Sequence, residues 1–91
     1  MPIWTPITTE AALGVNTGAA SAVSNSRYVR LFNTAAVGTE HLVTLEESGG
    51  TDIGTFTLDG QKEALIKKDP SDKLFAANAA VMAVGVAINS N

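Results

Sequence analysis

The sequence predicts an all-β fold: a small antiparallel β-sandwich or barrel-like domain with an extended N-terminal arm. Three observations carry that expectation. From Arg27 onward, β-branched and aromatic residues come in short runs separated by Gly, Asn, Asp and Pro, the spacing of an all-β domain. The closing run VMAVGVAIN, Val81 to Asn89, alternates larger and smaller side chains, as a strand requires. Before Ser26 the chain is rich in Pro, Thr, Ala and Gly without a sustained period. Residues 1–25 therefore read as an arm and loosely patterned segment, and residues 26–91 as the β core of a single domain.

Length agrees with one domain, because 91 residues leave no room for a second core. A chain of this size buries only about two-thirds of its unfolded surface, so association with partner chains is a natural source of further burial.

In the arm, MPIWTPITTE places Trp4 between Pro2 and Pro6 and flanks it with Ile3 and Ile7. Prolines limit ladder pairing yet stiffen an extended segment. Glu10 to Leu13 could form one helical turn, but Gly14, Asn16 and Gly18 cut it short. Five or six strands are expected from Arg27. RYVRLFNT sets Val29 and Leu31 on one face and Tyr28, Arg30 and Phe32 on the other, while EHLVTLEE sets Val43 and Leu45 opposite Leu42 and Thr44. Neither has a purely polar face, so the second face should meet another sheet, the arm or a neighbouring subunit.

Glu46 to Gly50 is a turn by composition. TDIGTFTL resumes the extended pattern up to Asp59-Gly60, whose glycine permits the positive φ of a hairpin turn, and a meander is the expected continuation. EALIKK and KLFAA flank Asp69-Pro70-Ser71-Asp72. In the last strand Met82, Val84, Val86 and Ile88 make one face bulky, and Val81, Ala83, Gly85 and Ala87 leave the other flat enough for close backbone approach. The expected main core is Val29, Leu31, Val43, Leu45, Phe56, Leu58, Ile66, Leu74, Val84, Val86 and Ile88.

Charged residues make up 16% of the chain, against about a quarter in typical domains. Nine acids and six bases give a net charge of −3, which disfavours the counterion-release binding of nucleic acids. Without cysteine there is neither a disulfide nor a thiolate nucleophile or metal ligand. The N-terminus lacks the basic region and apolar core of a signal peptide, and no run reaches a membrane span. The reading is of a chain made in the cytoplasm that needs neither membrane nor nucleic acid as a partner.

The densest ionisable stretch, EALIKKDPSDKLFAA, places Asp69, Asp72, Lys67, Lys68 and Lys73 around Pro70. Proline fixes φ, and Asp and Ser bond to nearby amides, so this is turn chemistry with lysines on a solvated rim. A calcium loop would need further oxygen ligands at ordered spacing. His41, the only histidine, stands beside Glu40, but neighbours on a strand point to opposite faces. A triad drawn from Ser48 or Ser71 with His41 and Asp52 lacks a nucleophile-elbow motif. Glu46, Glu47 and Asp52 flank a Gly-Gly turn and read as a solvated loop. The glycines form no phosphate cradle. The residues thus assign no catalytic, cofactor-binding or metal role. Ile3, Trp4 and Ile7 are the candidate interaction residues: Trp4 either packs on the sheet or anchors into a partner, where aromatics are enriched.

The order of features is distinctive: the MPIWTPITTEAALG opening, RYVRLFNT, HLVTLEE, IGTFTLDGQKEALIKKDPSDKLFA and the closing VMAVGVAI. Over its whole length this layout resembles small β-rich virion proteins of tailed bacteriophages, especially those of marine bacteria. The resemblance implies β-sandwich subunits, without enzymatic activity, that decorate or cement a capsid as homo-oligomers. Their partner would be the major capsid protein or another virion protein, and their place the virion. The alternative virion role is a tail or fibre module recognising a host-surface carbohydrate. A sugar platform usually needs several exposed aromatics, whereas Trp4, Tyr28, Phe32, Phe56 and Phe75 are mostly assigned to strands.

Overall fold

The computed structural model describes residues 3–89; Met1 and Pro2 of the expected arm, and Ser90 and Asn91, lie outside them. Eight strands follow in order: β1 (Ile3–Pro6), β2 (Ala11–Ala12), β3 (Tyr28–Asn33), β4 (His41–Glu46), β5 (Asp52–Leu58), β6 (Glu63–Lys67), β7 (Lys73–Ala76) and β8 (Val81–Asn89). They form two antiparallel sheets. Sheet A runs β1-β8-β3-β6, with β2 also on β8, and sheet B runs β5-β4-β7. The fold is all-β and sandwich-like, as the alternation in β3 and β8 predicts.

The expected meander is not what forms. Only β4 and β5 make a hairpin, closed by Glu47 N–H donating to the Thr51 carbonyl (2.8 Å) and Gly50 N–H to the Glu47 carbonyl (2.8 Å). Otherwise β3, β6 and β8 lie in sheet A while β4, β5 and β7 lie in sheet B, so the chain crosses between layers at most of its turns. The Asp59-Gly60 turn therefore joins two sheets. Its positive φ belongs to Gln61 (59°) and not to Gly60. Gly60 is small for another reason: a Cβ there would overlap the Ala36 carbonyl.

Between the sheets lie Leu13, Val29, Leu31, Val43, Leu58, Leu74, Ala76, Val81 and Ala83, with Leu45, Phe56, Ala64 and Ile66 packed at the margin. Full burial of each larger aliphatic side chain contributes about 1.5–3 kcal/mol. Eight of the eleven expected core residues lie in this cluster or against it. Val84, Val86 and Ile88 do not, and the reason is register. Val29 pairs with Gly85 and Leu31 with Ala83, so the flat face of β8 is the one turned to sheet B, and its bulky face is turned outward. There Val84 stands opposite Arg30, Val86 between Pro6 and Tyr28, and Ile88 opposite Trp4. Val84 and Val86 are still buried, so sheet A carries a second apolar layer on its outer face.

Asn33 ties the layers together. It is wholly buried; its amide donates to the carbonyls of Thr39 (3.0 Å) and Leu58 (2.9 Å), and its side-chain oxygen accepts from Ala35 N–H (3.0 Å). A buried amide satisfied on both ends costs little and fixes geometry.

The N-terminal segment is not an extended arm among the described residues. β1 and β2 lie along β8, with Ile7 N–H donating to the Gly85 carbonyl (2.8 Å) between them. Leu13 enters the core, and the chain then crosses to sheet B: Ala76 N–H donates to the Gly14 carbonyl (3.0 Å), and Ser21 exchanges backbone hydrogen bonds with Leu74. Residues 3–21 thus close one side of the sandwich, which the division at Ser26 did not anticipate. The possible turn at Glu10–Leu13 is the short strand β2, and a 3-10 turn (Thr17–Ala19) follows, capped by the Asn16 side chain accepting from Ala19 N–H (3.1 Å).

Candidate functional site

The three candidate interaction residues all fall on or beside β1, but on different sides of it. Trp4 pairs with Ile88 and Pro6 with Val86, on the outer face of sheet A. Trp4 is half-buried, with the Arg30 guanidinium 5.6 Å from its ring centroid. Arg30 also lies 5.0 Å from the Phe32 centroid, donates to Glu63 through Nε (2.8 Å), and reaches Glu10 at 3.4 Å. A guanidinium between two rings and two carboxylates is held in place. It fastens the N-terminal strand, through Trp4 and Glu10, to β3 and β6. Within the single chain Trp4 packs on the sheet.

Ile3 and Ile7 alternate with Trp4 and Pro6 and fall on the other side of the strand, opposite Asn89 and Gly85. They are 63% and 60% exposed, because sheet B does not extend under this edge. The ladder phase set by Ile7 N–H leaves the backbone groups of Trp4 and Pro6 turned to the open side. Pro6 has no N–H to offer. This edge therefore presents aliphatic side chains more than a hydrogen-bonding template.

Next to Ile7, where the chain bows between β1 and β2, a cleft of about 450 Å³ opens. Thr8, Thr9, Ser21 and Ser24 supply hydroxyls to it, Ile7, Leu13, Val23 and Ala83 supply apolar surface, and no ionisable side chain lines it. Two of the hydroxyls already accept backbone bonds: Thr8 Oγ1 from Gly85 N–H (2.8 Å) and Ser21 Oγ from Val23 N–H (3.0 Å). One wall is unusual. Val23, Ser24 and Asn25 all have left-handed φ (51°, 54° and 56°), which costs a β-branched residue most. The turn is held by Ser26, whose N–H and hydroxyl both donate to the Val23 carbonyl (3.2 and 2.6 Å). Ser26 in turn sits against Gly85, where a Cβ would overlap its hydroxyl. Sequence reasoning missed this wall; Asn25 was the only residue in it with a known tolerance for the left-handed region.

The charged stretch is a turn. Asp72 N–H donates to the Asp69 carbonyl (3.0 Å). Lys68, expected on a solvated rim, is buried, and its ammonium donates to the carbonyls of Asp69 (3.3 Å) and Pro70 (3.1 Å). Burial lowers its pKa from the ordinary 10.5, opposed by the negative charge of Asp72 and then Asp69. Glu46 is a second correction. Read as solvated, it is buried and accepts a hydrogen bond from the Thr17 hydroxyl at 2.7 Å. Glu46 follows Thr44 on the face of β4 turned away from the core residues Val43 and Leu45, and it is the Thr17 segment packed there that covers it. His41 opens β4 half-buried, with Glu40 exposed before it. Among the described residues no group of three or more His, Asp or Glu side chains gathers as a metal cluster would.

No protein-family model, curated protein or solved structure matches this chain.

Proposed function

We propose that the chain is a non-enzymatic virion structural protein that decorates or cements a bacteriophage capsid, acting as a homo-oligomer whose partner is the major capsid protein or another virion protein. The observation that carries the reading is the pair Ile3 and Ile7: two large aliphatic side chains, more than half exposed, on one side of an edge strand pinned by Trp4 and Arg30. Exposed apolar groups on a rigid, pre-ordered strand lose little entropy when a partner covers them. The layout of the sequence supports the same reading.

The test is the double variant Ile3→Ser with Ile7→Ser. Neither side chain is in the core, so melting should move little, within about 0.5 kcal/mol per site, while co-sedimentation with capsids lacking this protein should be lost. Normal attachment of the folded variant contradicts the proposal. The second reading, a tail or fibre module for a neutral host-surface carbohydrate, is favoured by the uncharged, hydroxyl-bearing cleft beside Ile7. Glycan-array binding that Ser24→Leu abolishes would favour it instead.

A further inference from the structure

Both sheets end in strands with one free edge, and three of these edges carry a device that blocks pairing. β1 has Pro6. β5 has Gly54 in its middle and the register shift opposite Leu45 and Glu46. β7 is bridged by Ser21. β6, with the sequence Glu63-Ala64-Leu65-Ile66-Lys67, has no proline, glycine or bulge, and among the described residues no strand or bridge lies along its outer side.

The phase of its ladder is fixed by two bonds. Lys68 N–H donates to the Arg27 carbonyl (2.7 Å), and Asn33 N–H donates to the Lys62 carbonyl (3.1 Å). With the intervening register, Val29 to Ile66 and Leu31 to Ala64, the even-numbered residues of β6 turn their backbone groups to β3. Glu63, Leu65 and Lys67 turn theirs to the open edge. The same three carry the exposed side chains, on the outer face with Arg30.

We propose that two copies of this chain associate through β6, antiparallel about a two-fold axis at Leu65, so that sheet A continues from one subunit into the next. Such pairing sets Leu65 opposite its own copy and Glu63 opposite Lys67 of the other subunit, twice by symmetry. Each outward N–H then finds an outward carbonyl, and each charge meets its opposite. Other registers are worse. A one-residue slip sets outward backbone groups against groups already bonded to β3. A two-residue slip leaves the charges unmatched, and a four-residue slip sets Glu63 on Glu63 or Lys67 on Lys67. On the inner face Ala64 would meet Ile66 of the second copy, covering side chains that are half-buried in the single chain. This surface is separate from Ile3 and Ile7, so the inference stands whether or not the capsid reading does.

Sedimentation velocity of the full chain from about 10 µM to 1 mM should show a monomer–dimer equilibrium. Over the same range hydrogen exchange at the amides of Glu63, Leu65 and Lys67 should slow, while Ala64 and Ile66, already bonded, stay unchanged. Lys67→Glu leaves the Arg30–Glu63 pair intact, faces two glutamates across each end, and should raise the dimer dissociation constant about tenfold or more. Adding Glu63→Lys restores opposite charges and should recover association. Leu65→Pro removes an outward donor that β3 does not use, and should leave a monomer that melts cooperatively. The proposal is overturned if the wild-type chain is monomeric throughout, or if the dimer persists in folded Lys67→Glu. It is equally overturned if the folded charge-swapped variant gains nothing over Lys67→Glu alone.

Discussion

Replacing Gly85 by alanine should destabilise the domain more than a single methyl group on a surface strand ever would. The added Cβ would overlap the Ser26 hydroxyl and lie 2.9 Å from Ser26 Cβ and 3.0 Å from Thr8 Cγ2. Neither neighbour can yield freely. Ser26 is bonded twice to the Val23 carbonyl, at the end of three left-handed residues, and Thr8 accepts the N–H of Gly85 itself (2.8 Å). Overpacking of this kind costs about 1–3 kcal/mol, and losing the Ser26 hydroxyl bond adds about 0.5–1.5 kcal/mol. Removing a strand glycine returns about 0.5–1 kcal/mol. The net loss, centred on about 2 kcal/mol, is a large share of the stability of so small a domain. At about 4–8 °C per kcal/mol, the melting temperature should fall by roughly 5–20 °C. Thermal and urea unfolding followed by far-UV circular dichroism measure it. Ser26→Gly in the same background should recover part of the loss. If Gly85→Ala melts with the wild type, or Ser26→Gly makes it worse, then the contact of Gly85 with the Val23–Asn25 turn does not set the geometry of this edge.

Val86→Asp should unfold the chain or nearly so, since Val86 is 2% exposed between Pro6 and Tyr28 and an unpaired buried charge costs several kcal/mol; a wild-type melt would show that the outer layer of sheet A is open to water. Lys68 has a folded pKa below its unfolded value of 10.5, so the unfolded chain holds the extra proton between the two. Stability should therefore rise with pH across that window and level off above about 10.5; Lys68→Met should lack the rise, and parallel pH profiles for the two proteins would refute the assignment. Asp69→Asn with Asp72→Asn removes the carboxylates that oppose the lowering at Lys68, while the backbone bond of the turn remains. A modest loss of about 0.5–1 kcal/mol, unaffected by calcium, is expected; calcium-dependent melting present only in the wild type would make the turn a metal site.

The parts of this fold legible in the sequence are those decided by near neighbours. Alternation in β3 and β8 marks strands because successive side chains take opposite faces, and Asp69-Pro70-Ser71-Asp72 marks a turn because its own chemistry closes it. The orientation of β8 was not legible. Its bulkier side chains suggest the core, but close passage of Ser26 over Gly85 and pairing of Ala83 with Leu31 turn the small residues inward. The larger residues find a different cover, in Trp4, Pro6 and Tyr28. The layer in which each strand lies was equally hidden, since a turn between sheets and a hairpin turn share the same Asp, Gly and Pro. Charge misled twice: Lys68 and Glu46 have the composition of a solvated surface, yet one curls over turn carbonyls and the other is covered by the segment that carries Thr17. At the candidate site, Ile3, Trp4 and Ile7 stood out as an apolar cluster in a neutral segment. Their separation onto two sides of β1 follows from strand alternation, but which side is covered depends on pairing with β8, which lies some eighty residues away in sequence and leaves no local mark.

The central proposal, that this chain is a component of a virion shell, is tested most directly by searching for it on purified phage particles from the source of the sequence. Cryo-electron microscopy combined with mass spectrometry of the particle is predicted to show the chain in stoichiometric copies on the capsid exterior. The Ile3 and Ile7 edge should face the shell. Particles that lack the chain altogether, or that carry it only on the tail, would contradict the account.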